Sequence, residues 1–63
     1  MSEQLPKDPY ILLSTINMKL RNHFSSPQRL CAYYHIELND LDIAMQQIGY
    51  FYDKEQNQYR ILD

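Results

Sequence analysis

Apolar residues recur at three- and four-residue spacing through the first third of the chain. Leu12, Leu13, Ile16, Leu20 and Phe24 fall on one stripe, which predicts a helix over residues 9–24 with that stripe against a core. Asp8 followed by Pro9 supplies its start, a carboxylate to accept first-turn N–H groups and a proline where no intrahelical bond is lost. Ile11 and Met18 do not join the stripe. At about 100° per residue they lie together on the opposite side, among Ser14, Thr15, Arg21 and Asn22. Ser25-Ser26-Pro27 ends this helix and opens a second over residues 27–34, with Ser26 as cap before Pro27 or Ser25 with Gln28 as a capping box. That helix turns Leu30, Cys31 and Tyr34 inward.

Leu30-Cys31-Ala32-Tyr33-Tyr34-His35-Ile36-Glu37 has the spacing of a helix-turn-helix phrase, an apolar anchor and a small neighbour followed by a turn. His35 takes the turn position where glycine is usual, since histidine is enriched among non-glycine residues at positive φ. Ile36 is expected to plug the angle between the helices. A third helix is predicted over residues 38–48, with Leu41, Ala44, Met45 and Ile48 inward and Gly49 as its left-handed stop. Beyond Gly49, residues 50–53 and 58–61 read as aromatic-rich strands joined by Lys54-Glu55-Gln56-Asn57. The fold class is therefore mainly α, a three-helix, helix-turn-helix-like bundle with a short C-terminal β-hairpin as a wing. Leu13, Ile16, Leu20, Leu30, Tyr34, Ile36, Leu41, Met45 and Ile48 form the expected core. Tyr50, Tyr52 and Tyr59 are expected to pack the hairpin onto the helices with hydroxyls at the wet edge, and Tyr33 and Phe51 to lie near the surface.

The words Leu5-Pro6-Lys7-Asp8-Pro9, Asn17-Met18-Lys19-Leu20-Arg21, Leu30-Cys31, Ile48-Gly49-Tyr50 with Tyr52-Asp53, and Asn57-Gln58-Tyr59 resemble a family of small bacterial proteins called domain of unknown function 4250. The likeness runs from Leu5 to Tyr59. It implies a bacterial, cytoplasmic, free-standing protein and carries over no catalytic or binding residue, because the family has no assigned activity.

With 63 residues the chain makes one small domain, 1–63, in which 1–7 read as a loosely ordered N-terminal segment. A chain this short buries only about 60% of the surface its unfolded form exposes, which leaves little material for a catalytic cleft. The lone Cys31 excludes an intrachain disulfide and points to the cytoplasm. No apolar run exceeds Tyr10 to Leu13, so the sequence predicts a soluble protein without a membrane partner. Eight carboxylates outnumber six lysines and arginines, for a net charge of −2, and the electrostatic footprint of a nucleic-acid binder is missing.

Candidate chemistry is thin. Cys31 and His35 are four apart and, with His23, offer three ligands of a zinc site; four are wanted, and a small buried residue plus a turn histidine explain the pair better, so no metal or other cofactor is expected. Asp40 and Asp42 point about 200° apart on a helix and cannot share a proton; Asp40 favours the helix dipole instead. No nucleophile stands beside a base and no glycine-rich loop awaits a phosphate, so the chain reads as a non-enzyme without a small-molecule substrate. Two function classes remain. One is an interaction module, a homodimer or an adaptor for a protein partner, with Ile11 and Met18 as the candidate self-association patch unless the segment around Leu5 folds back over them. The other is a DNA-binding helix-turn-helix regulator reading the major groove through residues 38–48, with Asn39, Gln46 and Gln47 as contacts; Asp40 and Asp42 on that helix, with no lysine or arginine beside them, favour the first.

Overall fold

The structure, a computed structural model, describes residues 5–61. Its order is α1 (Pro9–Asn22), α2 (Pro27–Tyr34), α3 (Leu38–Gln46), β1 (Tyr50–Asp53) and β2 (Gln58–Ile61), three helices and an antiparallel hairpin as the hydrophobic pattern predicts. The N-terminal segment expected to be loose lies partly outside the described residues; Leu5, within them, packs half-buried against the core.

Local chemistry sets each boundary. Asp8 Oδ1 accepts the N–H groups of Tyr10 at 2.9 Å and Ile11 at 3.2 Å, fixing the start of α1. Ser26, not Ser25, caps α2: its hydroxyl accepts from the Arg29 N–H at 3.3 Å. His35 stops α2 in the left-handed region at φ 59°, and the Ile36 N–H turns back to the Cys31 carbonyl at 3.0 Å. The third helix stops at Gln46, short of the expected Ile48, because the N–H groups of Ile48 and Gly49 bond three residues back, to Met45 and Gln46, in a tightened final turn. Gly49 then takes φ +85°; the space around it is open, so backbone freedom is what the position requires.

In the hairpin Tyr50 pairs with Ile61, Phe51 with Arg60, Tyr52 with Tyr59 and Asp53 with Gln58. The turn 54–57 is pinned by the Glu55 N–H donating to Asp53 Oδ1 at 2.9 Å and by Asn57 at φ 53°. A lone two-stranded ribbon is marginal in water, so its order must come from the helices.

The buried cluster comprises Leu13, Ile16 and Leu20 of α1, Leu30 and Cys31 of α2, Leu41 and Met45 of α3, and Tyr59 of β2. Tyr34 and Ile48 are half-buried on its flank. Two expectations need correction. Ile36 is 37% exposed and lines a shallow apolar groove of about 390 Å³ with Leu5, Leu12 and Ala44 instead of plugging the helix angle. Tyr59, expected with its hydroxyl wet, is fully buried, the largest such side chain, and its ring fills the core beside Cys31, Leu41 and Met45.

Candidate functional site

Among the described residues, the outer face of α1 is an apolar-bearing surface that packing leaves unused. With Leu13, Ile16 and Leu20 turned to the core, helical periodicity turns Tyr10, Ile11, Ser14, Met18, Arg21 and Asn22 to solvent, and all six are exposed. Ile11 is 57% and Met18 49% exposed. Leu5 lies in the groove beside Leu12 and Ile36 and leaves Ile11 and Met18 uncovered.

One flank of this face is built by Asn17. Its Oδ1 accepts the Tyr59 N–H at 2.8 Å and its Nδ2 donates to the Tyr59 carbonyl at 3.1 Å, while Gln58 Nε2 donates to the Asn17 carbonyl at 2.9 Å. At the other end of the hairpin Asn57 Nδ2 donates to the carbonyls of Leu20 at 2.9 Å and Phe24 at 3.1 Å, and Tyr52 donates its hydroxyl to Asn57 Oδ1 at 2.6 Å. The strand β2 therefore runs antiparallel to α1. Two residues beyond Tyr59, about 6.6 Å of strand, correspond to about four residues of helix, which sets Ile61 level with Leu13 in the N-terminal half of α1. Ile61 is 56% exposed at that level.

The face of α3 is different. Asn39, Gln46, Gln47 and Asp40 are exposed, as a groove-reading helix would have them, but α3 contains no lysine or arginine. Asp42 is not on that face: half-buried, it turns to the hairpin and accepts the Tyr59 hydroxyl at 2.7 Å. Burial first, then the bond to and charge of Asp42, push the Tyr59 phenol far above its ordinary range, so it stays a neutral donor. Cys31 is buried, and burial with the charges of Asp42 and Glu37 pushes its thiol up, away from the reactive thiolate. His35 is the exposed stop of α2 and His23 the exposed end of α1. Among the described residues no three His, Cys, Asp or Glu side chains are grouped to hold a metal, and no helix is long and apolar enough to cross a membrane.

Sequence reasoning put Ile11 and Met18 together on the outer face of α1, where both are exposed, and missed Asn17, Asn57 and the Tyr59–Asp42 pair, the groups that fix the hairpin. Their partners are seventeen to forty-two residues distant in the chain for the bonds that matter, beyond any local pattern.

The sequence profile of a family described as Domain of unknown function (DUF4250) matches residues 6–59. No curated protein and no solved structure matches the chain.

Proposed function

We propose, starting from the fact that the chain belongs to the DUF4250 family, that it is a non-catalytic interaction module that associates with a copy of itself through the outer face of α1. The exposure of Ile11 and Met18 side by side on a helix whose other face is fully used carries this reading. A chain with a thin interior gains stability by burying spare apolar surface, and a two-fold axis uses each residue twice, so Ile11 and Met18 with Tyr10 and Ile61 at the margin make a small seam. The area falls well below a standard interface, and the dimer is accordingly weak.

Light scattering across a concentration series, on the parent and on Met18→Lys, tests this. The parent shifts towards the dimer mass as concentration rises, and the lysine, half-exposed in the monomer and therefore harmless to folding, keeps the variant monomeric. A parent that stays monomeric at every concentration refutes self-association; a dimer indifferent to the lysine moves the interface to Phe51 and the hairpin.

A further inference from the structure

Three aromatic rings meet where α1 ends and α2 packs beside it. Phe24, Tyr33 and Tyr34 form a triangle with ring centroids 5.5 Å (Phe24 to Tyr33), 6.3 Å (Phe24 to Tyr34) and 5.0 Å (Tyr33 to Tyr34) apart. Phe24 and Tyr34 are half-buried and pack against the core, so joining α2 to α1 accounts for them. It does not account for Tyr33, which is 62% exposed. Tyr33 meets Tyr34 edge-on at 81° and Phe24 at 53°, so neither neighbour lies flat on its ring. A ring so placed offers a face to solvent.

Beside Tyr33 the surface dips into two open hollows of about 280 Å³ and 480 Å³ that share His23, Phe24 and Tyr33. Lys19 borders the first and Arg29 the second, and no carboxylate lines either one, although the chain as a whole is acidic. The partial negative charge at the end of α1 repels anions, and part of it is already engaged. The Lys19 carbonyl accepts the N–H groups of His23 and Phe24, and Asn57 occupies those of Leu20 and Phe24. The Lys19 ammonium stands 5.6 Å from the Tyr34 ring centroid, which aligns positive charge with the aromatic surface.

Flat rings interleaved with cations are the chemistry that holds an unpaired base by its face and its phosphate by charge. We propose that the Phe24, Tyr33 and Tyr34 cluster binds a nucleobase bearing a phosphate, with the base stacked on Tyr33 and the phosphate between His23 and Arg29. A nucleotide of an unpaired strand and a free nucleotide both present this unit. The site uses neither Ile11 and Met18 nor any residue of α3, so it stands or falls apart from self-association.

The test is fluorescence anisotropy with a labelled oligothymidylate at low ionic strength, joined to amide chemical-shift mapping with uridine monophosphate. The oligonucleotide binds the parent; Tyr33→Ala weakens binding about tenfold or more, Tyr33→Phe, which keeps the ring, restores it, and Arg29→Glu weakens it and flattens its salt dependence. Because Tyr33 is outside the core, Tyr33→Ala keeps the parent's circular dichroism spectrum; the mapping on unaltered protein, in which the amides of His23 and Tyr33 shift, is independent of any variant. Uridine monophosphate competing at the same concentration as the strand identifies a free nucleotide as the source, and binding of the strand alone identifies the strand. The proposal is overturned by an inert parent in both measurements, by an affinity unchanged in Tyr33→Ala, or by polyglutamate binding as tightly as the oligonucleotide, which would show that charge alone is read.

Discussion

Replacing Asn17 by alanine removes two hydrogen bonds and nothing from the buried cluster. Tyr59 lies opposite Tyr52 in the ladder, and its N–H and carbonyl both point away from β1 to the Asn17 amide, at 2.8 Å and 3.1 Å. That is the non-hydrogen-bonded position of an antiparallel pair, so Asn17 acts as a one-residue third strand. Each bond contributes about 1 kcal/mol net, and the two half-buried Tyr59 groups left behind add a desolvation cost of about 1 kcal/mol before water reaches them. Alanine returns about 0.5 kcal/mol of helix propensity. The expected loss is about 2.5 kcal/mol, a fall in melting temperature of roughly 10–20 °C for a domain of this size. Urea titration followed by circular dichroism measures it, and hydrogen exchange locates it at the Tyr59 amide. Asn17→Asp keeps the acceptor but sets a carboxylate against the Tyr59 carbonyl, and recovers none of the loss. A change below about 0.5 kcal/mol, or a Tyr59 amide that stays protected in the alanine variant, refutes the third-strand reading.

Leu41→Ala, in the centre of the cluster, costs on the order of 2–5 kcal/mol and unfolds much of the population; an unchanged melting curve would remove Leu41 from the core. Because the Tyr59 phenol is raised in the fold, the unfolded chain releases that proton first, near pH 10. Its contribution is whole below about pH 10 and declines above it by up to about 1.4 kcal/mol per pH unit, a slope that Tyr59→Phe flattens in alkaline denaturation. Random-sequence duplex DNA at low salt finds no appreciable affinity, since exposed Asn39, Gln46 and Gln47 are accompanied by Asp40 and no base on α3; salt-sensitive micromolar binding, lost on Gln46→Ala, would establish the regulator instead.

What the sequence revealed, it revealed through short-range chemistry. Asp8-Pro9, Ser26-Pro27, His35 and Gly49 each act on their own few residues, and both strands and their turn fall where the pattern puts them. The outer face of α1 was legible for the same reason, because seven residues are two helical turns and Ile11 and Met18 must share a side. The position of the hairpin was not. It depends on Asn17 and Asn57, ordinary polar residues until the chain folds, and on whether a tyrosine buries its ring whole, which Asp42 decides by taking the hydroxyl. Tyr59 is buried and Ile36 lies on the rim, the reverse of what a helix-only count would place inside.

The burial of Tyr59 also has a consequence for synthesis. All three helices emerge before it, yet the interior they share is incomplete without its ring, and α1 lacks the amide-to-backbone ties of β2 until then. At ribosomal speeds of about 5–20 residues per second, helices that form in microseconds spend seconds with an open apolar face. Nascent chains whose Tyr59 is still inside the exit tunnel stay protease-sensitive, and those in which Ile61 has cleared it become resistant in one step, so the domain closes only once its second strand is out.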